Sequence, residues 1–421
     1  MAATISTADK ILKYLYTSRA LENAVYDKNP LFALIPKSGG FNGRSIIHAI
    51  TYGNSLARSA AFATAQGRAA INGASGTDSG FNRDVNFTVA RVKNYAMYTI
   101  EQELLLAASG DRASFVRGLT QLVDGTLQTL RNDFGRDIYG SGLGELGQMT
   151  AISGAGPFTW TVGEAITQIE VGMEIVVSTG STKTAALRNS GGGVAVTSVD
   201  RAAGTFTTAT NPDSAAANDW LFIKGDRPAA STTAIGSMLK IAGVEAWNPY
   251  TTPASSENFF GVDRSVDATR LAGQRLDISS LQPEEGYITA LAALAREDGD
   301  PSHIFTSFTD EKNLKLALGS RVDAEYTQVG DVGFESIRLR GPNGTVKVYA
   351  DRNAPVGYAR ILTLNTWELK HLGDLVNRGD AAGDGGMARE YQADRFEGRM
   401  SFYGNLLCYK PAANQVAKLP T

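Results

Sequence analysis

Several stretches of the 421-residue chain carry residue types that could do chemistry, and each has a spacing that can be tested. Gly142-Leu143-Gly144-Glu145-Leu146-Gly147 matches the GxGxxG pattern of dinucleotide-binding turns. That pattern needs a strand before it and a helix after it, so that the helix N-terminus meets the pyrophosphate. Here a helical run precedes and a β-rich stretch follows, so the glycines are read as the exit from a helix. Gly341-Pro342-Asn343-Gly344-Thr345-Val346-Lys347 resembles a phosphate loop but lacks the GK[ST] ending, and a hairpin turn is expected instead. The three histidines, His48, His303 and His371, have no Cys, Asp, Glu or His at a metal-ligand spacing, and structural hydrogen-bonding roles are expected for them.

Glu284-Glu285 follows Pro283 at the start of a helical run, where carboxylates suit the helix dipole. Asp380 and Asp384 lie in a glycine-rich loop, with too few acidic neighbours at regular spacing to prefer Ca²⁺ over water. The one cysteine, Cys408, sits in the apolar run Leu406-Leu407-Cys408-Tyr409 and is expected to pack as a small hydrophobe. It excludes an intramolecular disulfide and fits a reducing cytoplasm. A Ser-His-Asp site would be assembled in space, but no nucleophile-elbow motif is present. No acidic pair or triad suggests a glycosidase or protease. No catalytic residue, cofactor site or metal site is assigned, and the chain is expected not to be an enzyme.

Composition agrees with a large folded protein. With 43% hydrophobic residues the chain can bury more than one core, and two or three lobes are expected. Forty Lys and Arg against forty-three Asp and Glu give a net charge of −3, so extensive phosphate neutralisation is not expected, although a local basic face stays open. No secretory signal is read at residues 1–16, and no apolar stretch approaches the roughly 20 residues of a membrane span.

Positioning elements follow from periodicity. Ile5, Ala8, Ile11, Leu12, Leu15 and Leu21 suit an amphipathic helix that frays towards Asn29-Pro30. Ser45 to Tyr52 and Phe81 to Ile100 read as two long strands. Between them, residues 53–80 are rich in Ala, Ser, Gly, Asn and Thr and have almost nothing large to bury. A projecting two-stranded arm is expected. An isolated hairpin is marginal in water, so such an arm implies a surface on which to rest. Arg58, Arg68, Arg83, Arg91 and Lys93 lie in or near it, with Asp78 and Asp84 as the neighbouring acids. They are the candidate assembly contacts, pairing with an acidic patch on a neighbour.

Phe115, Leu119, Leu122, Val123, Leu127, Leu130, Phe134 and Ile138 recur at spacings of three and four and predict a long helix over 112–138. From 150 to 228 the texture turns to Thr, Val, Gly and Ser. Strands at 158–162, 173–178, 194–199, 205–208 and 220–224 predict a small inserted β-barrel or sandwich. Helices at 283–297 and 310–318 with strands at 304–306, 337–339, 346–349 and 361–364 predict an α+β lobe. Residues 367–372 and 395–409 read as extended, and 378–387 as a loop.

This order resembles the HK97-type coat proteins of tailed bacteriophages. Glu257-Asn258-Phe259-Phe260-Gly261-Val262-Asp263-Arg264-Ser265-Val266-Asp267, followed by Arg270-Leu271-Ala272-Gly273, is similar to a segment of many phage major capsid proteins. So are Leu318-Gly319-Ser320-Arg321, Gly341-Pro342 through Asp351-Arg352-Asn353, and Thr366-Trp367-Glu368-Leu369 with Leu372-Gly373. The resemblance implies an α+β coat-protein fold with an inserted all-β domain. Its parts would be an N-terminal arm (1–40), an E-loop with flanking strands (41–100), and a P-domain with its spine helix (101–149). The insert (150–228), an A-domain (229–365) and returning C-terminal strands (366–421) would follow. It implies pentamers and hexamers of this chain in an icosahedral virion shell, assembled in the host cytoplasm and enclosing double-stranded DNA contacted weakly and non-specifically. A scaffolding protein, a portal and a cement or decoration protein are the other implied partners; no membrane is. The alternative in the same fold is an encapsulin-like cellular compartment.

Overall fold

The computed structural model describes residues 12, 14–55, 57–69, 82–103, 112–180, 185–212, 215–227, 238–255, 258–319, 324–329, 332–378, 387–391 and 393–420. Three separate apolar cores organise it, one in the body, one in the 274–419 lobe and one in the insert. The expected α+β class is observed.

The expected N-terminal helix is met at Leu12, Tyr14 and Leu15, which are helical, and after a break at Tyr16-Thr17 a further helix follows. It runs Ser18–Tyr26, with Thr17 Oγ1 accepting from Ala20 N at 3.3 Å, while residues 1–11 and 13 lie outside the described residues. The chain does not fray towards Asn29. Pro30, whose φ is already set for a first helical turn, starts a second helix, Pro30–Leu34, and buries Leu31 and Phe32.

The long helix spans Arg112–Asp137 and is called the spine helix below. Val123, Leu127, Leu130 and Phe134 form its buried stripe, but Leu122, expected on that stripe, is 38% exposed on the opposite flank. Gly135 lets Asn29 and Asn353 meet against the helix, where any side chain would collide with both.

Phe81 to Ile100 is not one strand. Arg83–Ala90 pairs with Ser45–Gly53, whereas Val92–Glu101 joins Arg395–Cys408 in another sheet. Arg91 makes the break: its N–H donates to Arg44 O at 2.9 Å and its guanidinium to Phe41 O at 3.2 Å. Asn405 Nδ2 holds Ala90 O at 2.8 Å from the far side. The buried positions change parity there, from Phe87 and Val89 to Val92, Ala96, Tyr98 and Ile100. Arg395–Cys408 is the middle strand of the body sheet, carrying Val92–Glu101 on one edge. On its other edge lie Trp367–His371, Asn377–Arg378 and Met387–Arg389.

The 274–419 lobe is a seven-stranded mixed sheet. Its order is Gln274–Asp277, Gln415–Lys418, Tyr358–Leu362, His303–Thr306, Gly344–Ala350, Val332–Gly341 and Ala324–Val329. Helices Pro283–Arg296 and Phe308–Leu318 bury Tyr287, Leu291, Leu294 and Leu314 in its core. Gly341 pairs with Gly344, so Pro342-Asn343 is a two-residue hairpin turn and no phosphate loop.

The inserted region is a seven-stranded sheet in which all pairs are antiparallel. The order is Glu145–Gln148, Trp220–Ile223, Glu174–Ser178, Val194–Asp200, Thr205–Thr208, Phe158–Thr161 and Ala151–Ser153. The first and last of these were not expected from sequence. Gly142 and Gly144, at φ +83° and +82°, turn the chain out of the spine helix and straight into Glu145–Gln148. With a helix before and a strand after, this is the reverse of a dinucleotide turn. Trp160 stacks on Phe206 at 5.4 Å inside the insert's own core, and Trp160 Nε1 donates to Thr208 Oγ1 at 2.8 Å.

Candidate assembly surface

The arm is a hairpin of Ser45–Gly53 and Arg83–Ala90, with a short helix Phe62–Ala69 towards its tip. One face of its root is buried: His48, Ile50, Phe87 and Val89 point inward. Its other face is open, with Ile47 71% exposed and Phe62, near the tip, 81% exposed. Isolated exposed hydrophobes are ordinary, but Ile47 stands on a two-stranded sheet, which is marginal without a surface to rest on.

A socket holds the root. Trp247, fully buried, meets Phe87 at 5.4 Å, Phe259 at 5.1 Å and Phe260 at 5.8 Å between ring centroids. Phe259 N and Val262 N each donate to the other's carbonyl at 3.0 Å, closing a turn that carries Phe260 at φ +51° and Gly261 at φ +92°. Asn258 Oδ1 accepts from Gly261 N, and Arg264 lies 3.9 Å over the Phe259 ring while donating to Ala246 O at 2.7 Å. This turn grips the arm directly, Thr88 N donating to Phe260 O at 2.9 Å and Arg270 Nη1 to Tyr52 O at 2.7 Å. Residues 258–270 together with Trp247 are therefore the arm's socket. Sequence reading found the segment by resemblance and missed its role, since its partners lie about 170 residues upstream.

The candidate contacts separate. Arg58, Arg68 and Arg83 are exposed on the arm, Arg68 Nη1 donating to Arg58 O at 2.6 Å. Lys93 is exposed on the body sheet opposite Tyr403, away from the arm strands. Arg91 is half-buried, its backbone N–H donating to Arg44 O and its Nη1 to Phe41 O, so it fastens the arm's base. Asp84 accepts from Thr51 Oγ1 across the hairpin. Asp78 lies outside the described residues.

A second open surface runs beside the spine helix. Tyr95 and Met97, on the free edge of Val92–Glu101, and Leu122 line a groove of ≈ 720 Å³ floored by Gly118, Gly125, Thr126 and Thr129. Its apolar rim is exposed: Tyr95 51%, Met97 53%.

The histidines hold structure. His48 Nε2 lies 3.1 Å from Cys408 O and edge-on to Tyr409 at 4.6 Å, and burial lowers its pKa. His303 packs in a three-ring cluster with Phe305 and Tyr349, and burial, aided by Lys347, pushes it down to about 4. His371 Nδ1 lies 2.9 Å from Gly373 O. Burial pushes the Cys408 thiol up, so it stays protonated. Asp351 is buried where Tyr139 Oη and Asn353 N donate to it at 3.0 and 2.9 Å, and burial raises it to about 6. Glu284 and Glu285 occupy the first turn of their helix as expected. Among the described residues no group of three or more His, Cys, Asp or Glu could hold a metal ion, and no helix is long and apolar enough to cross a membrane. Asp380 and Asp384 lie outside those residues.

No protein-family model matches the chain, and no curated protein matches it. Solved structures do. The chain is similar to one from the cyanophage A-1(L) capsid asymmetric unit, with a TM-score of 0.51 and 10% identity over 93% of each chain. Structures from Mycobacterium phage Ogopogo (TM-score 0.39, 7% identity, 92% and 91% covered) and Mycobacterium phage Cain (0.37, 8%, 94% and 90%) are further matches. The chain has the HK97-like coat-protein fold. Its spine helix, projecting arm and α+β lobe are the elements expected from the sequence.

Proposed function

We propose that this chain is the major capsid protein of a tailed bacteriophage, assembling as pentamers and hexamers into the icosahedral head around double-stranded DNA. The observation that carries the reading is the likeness to a capsid chain across 93% of both molecules. Its work is burial of surface between copies, with no bond-making step. Residues 1–40 would be the N-arm, 41–100 the E-loop, 101–149 the P-domain, 150–228 an outward insert, 229–365 the A-domain and 366–421 the returning strands. Scaffold, portal and decoration proteins would be its partners, the host cytoplasm its place of assembly and the virion its final location.

On this reading the arm's basic residues meet an acidic patch on the neighbouring copy. Reversing Arg58, Arg68 and Arg83 to Glu should leave the subunit's thermal midpoint nearly unchanged, since exposed substitutions cost within about 0.5 kcal/mol. Particle yield, read by gradient sedimentation, should fall at least about tenfold, as like charges facing each other cost several kcal/mol. Wild-type yield from a folded triple variant would remove these residues from the contact.

A further inference from the structure

Six charged side chains gather at the root of the insert, where three pieces of chain meet. Asp133, Arg136 and Asp137 come from the last turns of the spine helix, Glu145 from the first strand of the insert, Asp226 from just past its last strand and Lys240 from the returning chain. Arg136 Nη2 reaches Asp133 at 3.3 Å and Asp137 at 2.9 Å, and Lys240 Nζ reaches Asp226 at 2.9 Å. Glu145 accepts from Ser141 N at 2.8 Å and Ser141 Oγ at 2.9 Å.

The pieces touch closely. Lys240 N donates to Gly142 O at 3.3 Å, and a Cβ at Gly144 would fall 2.6 Å from Asp226 O. Away from this root, Gln168 Nε2 donates to Asn353 Oδ1 at 2.9 Å and ties the insert to the neighbouring lobe.

Charge in this cluster does not balance. Four carboxylates face two cations, and Asp137, 3% exposed, has one oxygen without a hydrogen bond among the described residues. Only Asp137 and Lys240 are fully buried, Asp133 and Asp226 being 20% and 31% exposed, and in such a partly buried site an excess of negative charge favours uptake of a proton or a cation. We infer that the cluster is a proton-controlled clamp: with a proton bound, it holds the entering strand and the returning chain against the end of the spine helix, and loss of that proton loosens the root of the insert.

Burial raises the carboxyls of Glu145 and Asp133 above their ordinary range, with Asp137 adding to both, so these two are the proton's first seats. Lys240 stays charged: burial opposes its charge, but Asp137, Asp133 and Asp226 together raise it. Asp137 and Asp133 likewise outweigh burial at Arg136. Tyr139 and Asp351, the next titratable pair along the chain, bond each other. The sign follows from linkage: a carboxyl whose folded pKa is raised adds stability at low pH and loses it as pH rises through the folded value. The clamp is thus tightest at low pH and loosens as pH rises through the raised values of these carboxyls.

Hydrogen exchange on the full chain tests this, with rates corrected for intrinsic chemistry between about pH 4 and about pH 8. In the wild type, protection of segments 141–148 and 220–227 should fall about tenfold across that range, while Glu174–Ser178 inside the insert keeps its protection. Glu145→Gln with Asp133→Asn, which keep shape and remove charge, should hold the low-pH protection throughout. Lys240→Met should weaken both segments at either pH. A flat wild-type profile, a fall shared equally by 174–178, or an unchanged fall in the Gln/Asn variant would each overturn the clamp.

Discussion

Replacing Trp247 by alanine is expected to cost about 3–5 kcal/mol of body stability and to abolish particle formation. The indole is fully buried and touches Phe87, Phe259 and Phe260, so its removal empties the centre of the socket that holds the arm. Trp247 Nε1 also donates to Leu406 O at 3.0 Å. Its loss leaves a buried carbonyl unpaired on the middle strand of the body sheet, at roughly 1–3 kcal/mol. Limited proteolysis should then cut at Ser45–Gly53 or Arg83–Ala90, which the wild type protects. Trp160→Ala is the matched control: that ring is equally buried, but in the separate core of the insert, and the arm should stay protected. Wild-type arm protection in Trp247→Ala would show that the arm is held by something other than this socket.

The second large effect is on assembly with the fold left intact. Gly53 pairs with Arg83, so residues 54–82 can be replaced by Asn-Gly, the pair that closes a two-residue hairpin. Phe62 and Arg68, which leave with the tip, are exposed, and the buried residues of the root are all retained. The shortened subunit should therefore unfold at nearly the wild-type denaturant midpoint, within about 1 kcal/mol. Its shells should be absent by sedimentation and microscopy, because on the proposed function the arm's contacts are made with neighbouring copies. Normal shells from the shortened chain would assign assembly to other surfaces, such as the groove beside Tyr95, Met97 and Leu122.

Local periodicity made much of the fold legible. The spine helix ends within a residue of its expected limit because the apolar spacing from Phe115 to Ile138 has one period throughout and Gly140 follows it. The strands from Phe158 to Ile223 were readable for the same reason, as short alternating runs between turns. What failed were places where a tertiary contact overrides a local pattern. The break at Arg91 was visible as a parity change between Val89 and Val92, but a one-residue slip weighs little inside twenty strand-like residues. Glu145–Gln148 and Ala151–Ser153 are short, and glycine-rich neighbours hid them; their partners, Trp220–Ile223 and Phe158–Thr161, supply the pairing. Ala324–Val329 mixes Glu, Thr and Gln with its apolar residues and forms because Val332–Gly341 lies beside it.

The sites were harder to read than the elements. Basic residues near the arm were found by composition, which does not distinguish exposed Arg58 from the backbone-binding Arg91. The socket turn was found by resemblance alone, since Trp247 and Phe87 meet only after the hairpin folds back. Nothing local links Asp133 to Lys240, and the charge excess at the insert's root exists only once both ends of the insert are brought together.

Electron microscopy of the purified full chain, expressed alone and with the products of its neighbouring genes, tests the central claim most directly. Capsomers, tubes or closed shells with five- and six-fold clusters of subunits are the expected result. A protein that stays a folded monomer at high concentration under every condition would contradict it.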